Sequence, residues 1–111
     1  MQKEILEQPI AVANTLEMVL NAQSVSPILF GDEAEKVFFI INNFLIVACG
    51  ASHHAGLVAR YWLENVAETK CSVEIASEYR YRNPMADQAT LVIGISQPGE
   101  TADTLAAHKI C

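Results

Sequence analysis

Positive charge is scarce in this chain: seven Lys and Arg stand against thirteen Asp and Glu, a formal charge of −6. Nucleic acids and anionic membrane surfaces are bound through clusters of Lys and Arg, so that balance argues against both as partners. Any anion that binds here must be held mainly by backbone amides and hydroxyls. Long apolar runs are also missing. The longest, Val37 to Ala51, is broken by Asn42 and Asn43, and a bilayer-spanning helix needs about 20 apolar residues. Cysteine is sparse and widely spaced: Cys49, Cys71 and Cys111 form neither a zinc-ligand spacing nor a disulfide framework. Met1 to Glu7 is charged and amphipathic, unlike a secretory signal. These features together predict a reducing, cytoplasmic setting. With 51% hydrophobic and 18% charged residues in 111, the chain is globular and amounts to one domain or less.

What is present is a pair of loops, each at the end of a very apolar run. Phe44-Leu45-Ile46-Val47-Ala48 leads into Cys49-Gly50-Ala51-Ser52. Leu91-Val92-Ile93-Gly94-Ile95 leads into Ser96-Gln97-Pro98-Gly99-Glu100-Thr101. Short, continuous, β-branched runs read as strands buried on both faces of a parallel sheet. The pattern predicts strands at about 44–49, 71–76 and 90–95. It predicts helical character over 3–23 with a break, or the first turn of a second helix, at Pro9, a loop over 21–31 and a helical turn near Asp32–Lys36. Two further helices are expected, one from Ser52, acting as N-cap, and one over 100–110. A short helix is expected near Ser77–Arg82. In the helix after Ser52, the residues Ala55, Val58, Ala59, Trp62, Leu63 and Val66 form one apolar stripe at 3- and 4-residue steps. The order of elements is that of a partial, doubly wound α/β sheet of three parallel strands, preceded by N-terminal helices. The expected division is a helical lead-in at 1–35 and a truncated domain half at 36–111.

In such sheets ligands bind at the carboxyl ends of the strands, where helix N-termini present free N–H groups. Two hydroxyl-bearing, glycine-containing loops at those ends predict a site for a small anion such as a phosphate. The other chemistries fail on spacing. His54 stands where a nucleophile elbow needs glycine, Gly50 and Gly56 do not make a dinucleotide fingerprint, and no Gly-Lys-Ser/Thr loop exists. Adjacent helical residues such as His53 and His54 point about 100° apart and do not chelate one metal. No catalytic residue, metal or cofactor is assigned.

The residues carry a family resemblance. Ala48-Cys49-Gly50-Ala51-Ser52 with His54-Ala55-Gly56 through Trp62 resembles the first strand–loop–helix of a sugar isomerase (SIS) domain, whose fold is flavodoxin-like. Val73 through Arg82 and Ile95 through Leu105 follow in the order found in the isomerase region of the glutamine–fructose-6-phosphate aminotransferases, and Met1–Pro9 resembles the segment that opens that region. The resemblance implies a sugar-phosphate ligand, fructose 6-phosphate or glucosamine 6-phosphate. It would be held at Ser52, Ser96, Gln97 and Thr101, with Cys49, Gly50 and Gly99 shaping the loops. Family members usually carry Thr in place of Ala51 and Ser in place of Pro98, so two hydroxyl donors are missing here. The resemblance also implies that the glutaminase domain, the second SIS half and the family's glutamate base, ring-opening histidine and Schiff-base lysine lie outside this sequence. The chain is therefore expected to be an inactive fragment that pairs with the missing half or forms a homo-oligomer. The competing expectation is a non-catalytic SIS-type phosphosugar-binding or interaction module.

Overall fold

The computed structural model describes residues 1–17, 26–82 and 89–96. The chain divides into two compact units, Met1–Phe38 and Phe39–Cys111.

In the first unit, α1 spans Gln2–Glu17 without interruption and contains Pro9. The expected break at Pro9 does not occur. Proline removes one helical N–H and crowds the carbonyl four residues back. α1 buries none of its residues, so water can satisfy the Ile5 carbonyl that Pro9 leaves free. Helix-favouring Leu6, Glu7, Gln8, Ala11 and Ala13 carry the helix past it. The expected continuation over 18–23 lies outside the described residues. A single 3-10 turn, Pro27–Phe30, occupies the described part of the expected loop. It ends at Gly31, whose φ of +112° is readily accessible only to glycine. α2 covers Ala34–Ile40, further into the apolar run than the helical turn expected at Asp32–Lys36. No breaker intervenes before Asn42, and the Phe30 and Phe38 rings pack edge to face at 5.5 Å.

The second unit is built on three parallel strands: β1 (Asn43–Ala48), β2 (Lys70–Ile75) and β3 (Thr90–Ile95). Each lies within one residue of its expected position. Their order is β2-β1-β3, with β1 in the centre. The registers are flush. Asn43 pairs with Lys70 and Thr90, and Ala48 pairs with Ile75 and Ile95. The sequence pattern thus gives an open α/β sheet of the expected class.

After Asn43, β1 is apolar because it is covered on both faces. Ile46 and Val47 are each 2% exposed and Ala48 is fully buried. On one face lies α3 (Gly50–Val66), which approaches so closely that a Cβ on Gly56 would sit 2.9 Å from Ile46 Cγ2. On the other, Val47 joins Ala76 and Tyr79 of α4 (Ala76–Tyr79), with Leu45, Cys49 and Val92 packed around them.

The close approach at Gly56 decides which side of α3 meets the sheet. Ser52 and Gly56 are buried and Ala59 and Leu63 half-buried, an edge of small residues ending in one leucine. The expected apolar stripe is therefore split. Ala59 and Leu63 turn inward, but Ala55 is exposed, and Val58, Trp62 and Val66 are 50%, 68% and 83% exposed.

α3 ends at Val66 with Ala67 as its C-cap, and the next residue, Glu68, has a φ of +50°. An L-residue with a side chain pays about 1–2 kcal/mol for that left-handed conformation. Glu68→Gly is expected to raise stability by up to about 1 kcal/mol, since glycine is the favoured residue after a helix C-cap. A urea midpoint equal to or below that of the native sequence would count against this strain.

Candidate functional site

The central strand delivers its chain directly to the start of a helix. Cys49 follows Ala48 and acts as the N-cap of α3, with extended backbone (φ −126°, ψ 157°) and no side-chain capping bond. Gly50 then takes φ +54°, a left-handed turn that glycine makes without strain. The Cys49 carbonyl accepts the first helical bond, from His53 N–H at 3.2 Å. This geometry corrects one expectation: Ser52 is not the N-cap. Because the chain turns sharply at Gly50, the helix begins there and Ser52 becomes its third residue.

That shift places Ser52 in an unusual state. It is 8% exposed, the one buried polar residue among those described, and its hydroxyl has no hydrogen-bond partner among the described residues. A buried hydroxyl without a partner costs about 1–3 kcal/mol. The first N–H groups of a helix likewise lack partners within it. Free amides, the positive end of the dipole of a 17-residue helix and an unsatisfied hydroxyl thus converge at one turn. Such a turn accepts an anion.

The second loop leaves the neighbouring strand at the same level. Ala48 pairs with Ile95, so Cys49 and Ser96 are the next residues on adjacent parallel strands, and Ser96 is exposed. The structure brings Cys49, Gly50, Ser52 and Ser96 to one end of the sheet. Gln97, Gly99 and Thr101 lie outside the described residues.

The His53 and His54 rings are 6.0 Å apart and inclined at 72°. No group of three or more His, Cys, Asp or Glu suited to a metal occurs among the described residues. Beyond β2, Arg82 donates to Glu74 at 2.9 Å, and the Arg80 guanidinium stands 5.6 Å from the centre of the Tyr81 ring. Sequence reasoning valued this stretch for its resemblance alone. The structure adds that Tyr79, 3% exposed, fixes it to the core.

The two described cysteines are free thiols in different settings. Cys49 is half-buried beside the helix start. Cys71 is 4% exposed, and burial, reinforced by Glu64 and opposed by Arg60, pushes its thiol above the usual range. The unfolded thiol therefore ionises first. Its contribution to stability is intact below about pH 8.5 and is lost as pH rises towards the higher folded-state value. Cys71→Ala is expected to flatten the alkaline fall of the urea midpoint relative to the native chain. Equal slopes in the two proteins would refute this.

A parallel sheet whose central strand feeds a Cys-Gly-Ala-Ser turn into a long helix places this chain among open α/β domains whose ligand sites lie at the carboxyl ends of the strands. The profile of the SIS domain family matches residues 40–111, and the chain belongs to that family. Among whole proteins, it is 57% identical over 109 residues to the isomerising glutamine–fructose-6-phosphate aminotransferase of Bordetella pertussis, an alignment covering 98% of this chain and 17% of that protein. The same enzyme of Idiomarina loihiensis is 56% identical over 110 residues, covering 99% of this chain and 18% of its own length. Among solved structures, the C-terminal domain of glucosamine-fructose-6-phosphate aminotransferase from Francisella tularensis superposes with a TM-score of 0.86 at 46% identity. That match covers 98% of this chain and 30% of the solved one. The chain therefore spans less than a fifth of the length of these curated relatives. No described helix is long and apolar enough to cross a membrane.

Proposed function

We propose that this chain is part of the first SIS domain in the isomerase region of a cytoplasmic glutamine–fructose-6-phosphate aminotransferase. There it supplies sugar-phosphate-binding loops and no chemistry of its own. The observation that carries the reading is Ser52: a hydroxyl 8% exposed and unpartnered at the start of a long helix. A phosphate oxygen would satisfy it together with the N–H groups of the turn. Ser96, Gln97 and Thr101 would close the site from the second loop, with Gly50 and Gly99 giving the backbone room to approach. On this reading the helical lead-in would be 1–35 and the truncated SIS portion 36–111, with a second SIS half as partner.

Ala51 and Pro98 stand where the resemblance implies hydroxyl residues, which implies low affinity and weighs against the alternative reading, a phosphosugar-binding or interaction module. A hydrogen bond to a charged group is worth about 1.5–3 kcal/mol. Ala51→Thr with Pro98→Ser should accordingly tighten fructose 6-phosphate binding by about tenfold or more. Calorimetry on the native chain, the double variant and the double variant with Ser52→Ala tests both points. Equal affinity in the first two would remove the argument from missing donors. Unchanged affinity on loss of the Ser52 hydroxyl would remove the site.

A further inference from the structure

We infer that the outer side of α3 is a self-association surface, on which α3 of a second copy of this chain lies antiparallel about a two-fold axis at Val58. Nothing in this pairing depends on an anion at the turn. Among the described elements α3 packs against β1, β2 and β3. Its other side is left to water. Val58, Tyr61, Trp62 and Val66 are 50%, 65%, 68% and 83% exposed, and Ala51, His54, Ala55 and Asn65 are exposed beside them. These positions recur at 3- and 4-residue steps, so they share one side of the helix. No Lys, Arg, Asp or Glu is among them. Arg60 and Glu64 lie on another side of α3 and bond each other at 3.2 Å. Asn65 donates its side-chain amide to the Tyr61 carbonyl at 2.8 Å, which satisfies part of its polarity on its own helix. In a chain of formal charge −6, like charge opposes the approach of a second copy over most of the surface. An apolar strip free of charged side chains is where that approach is least opposed.

The order of sizes along the strip selects a second copy as the partner. The end near the turn is small, with Ala51 and Ala55. The far end is bulky, with Tyr61, Trp62 and Val66. A two-fold axis at Val58 sets Tyr61 opposite Ala55, Trp62 opposite His54 and Asn65 opposite Ala51, with Val58 against itself. Each bulky end fills the space beside a small end, and the contact closes on itself as a two-fold interface must. Helices packed about 8–10 Å apart need that alternation of large and small side chains. A parallel pairing would set aromatic residues against aromatic residues and leave the alanines facing a gap. One side of a 17-residue helix buries less than the roughly 1,200–2,000 Å² of a stable complex. The dimer is therefore weak and reversible.

Trp62 is the sole tryptophan, so its emission reports on this strip. Sedimentation equilibrium and Trp62 emission are followed on the full chain, under reducing conditions, from low-micromolar to near-millimolar concentration. The result expected is a monomer–dimer equilibrium, with emission moving to shorter wavelength as the dimer forms. Trp62→Ala should weaken the dimer by about tenfold or more, the loss of an aromatic anchor. Ala55→Tyr should also weaken it, because two tyrosines would then meet. Ala55→Tyr combined with Tyr61→Ala exchanges the large and small partners and should recover most of the native affinity. All three positions are exposed, so the urea midpoints of the monomers should stay close to the native value. A chain that stays monomeric throughout overturns the proposal, and is the result expected if a further segment of a longer protein covers the strip instead. A dimer whose Trp62 emission does not shift, a dimer tightened by Ala55→Tyr, or no recovery in the double variant overturns the antiparallel pairing.

Discussion

Gly56→Val is expected to destabilise the second unit by about 3 kcal/mol or more, the upper end of what overpacking a close-packed core costs. The first added carbon already has no room. A Cβ at Gly56 would lie 2.9 Å from Ile46 Cγ2 and 3.3 Å from Val73 Cγ1. Neither contact is the tip of a flexible side chain. Both methyls are attached to branched Cβ atoms whose rotamers are stiff, and Ile46 is 2% exposed. Alanine is the milder test, because its gain of about 1 kcal/mol in helix propensity over glycine offsets part of the clash. Ile46→Leu moves the offending branch off Cβ and should restore part of the loss in the Gly56→Ala background. Ala55→Val, on the exposed side of the same helix, should stay within about 0.5 kcal/mol of the native chain. Urea midpoints measure all four. A Gly56→Val protein as stable as the native one would mean that helix and sheet stand further apart than described.

Purified alone, the chain is expected to convert no fructose 6-phosphate into glucose 6-phosphate and to form no glucosamine 6-phosphate from glutamine or ammonia. Moving a proton between adjacent carbons needs a positioned base whose affinity for protons suits neutral pH. Among the described carboxylates of the second unit, two are paired with arginines and the others, Glu68 among them, are exposed. Glu64 accepts from Arg60 and Glu74 from Arg82. Glu78 is exposed. By resemblance, the base, the ring-opening histidine and the Schiff-base lysine of the family match none of the residues here. A coupled assay for glucose 6-phosphate checks the first reaction. Turnover above background that disappears in Glu100→Gln would place the base in the second loop and reverse this reading.

The strands were legible because a parallel sheet covered on both faces demands continuous apolar runs, and Phe44–Ala48 and Leu91–Ile95 are such runs. Their breaks, at Cys49-Gly50 and Ser96, mark the loops as plainly. What periodicity misplaced was the inward side of α3. It weighted Val58, Trp62 and Val66, the largest apolar residues, and the structure exposes all three. The deciding residues were Ser52 and Gly56, which add almost nothing to an apolar stripe but set how close the helix can come. Ser52 reads from the sequence as the N-cap, and the structure gives that position to Cys49. A serine after glycine reads as a cap, and only the left-handed turn at Gly50 shows that Cys49 takes that position. Pro9 was read as a breaker because sequence does not show that the carbonyl it orphans faces water. The strand order β2-β1-β3 depends on where the crossovers run, and the strands' own residues carry no trace of that.

The flush alignment of the three strands sets what this site can tolerate in lineages that lengthen or shorten it. Side chains along a strand alternate between faces, and each residue advances about 3.3 Å. A one-residue deletion inside β1 would swap Ile46 and Val47 between the two helical layers and draw the Cys49–Ser52 turn back from the level of Ser96. Exchanging a side chain in the turn, as at Ala51, leaves that geometry intact. At this end of the sheet the number of residues is therefore held more tightly by the geometry than the side chain at Ala51 is.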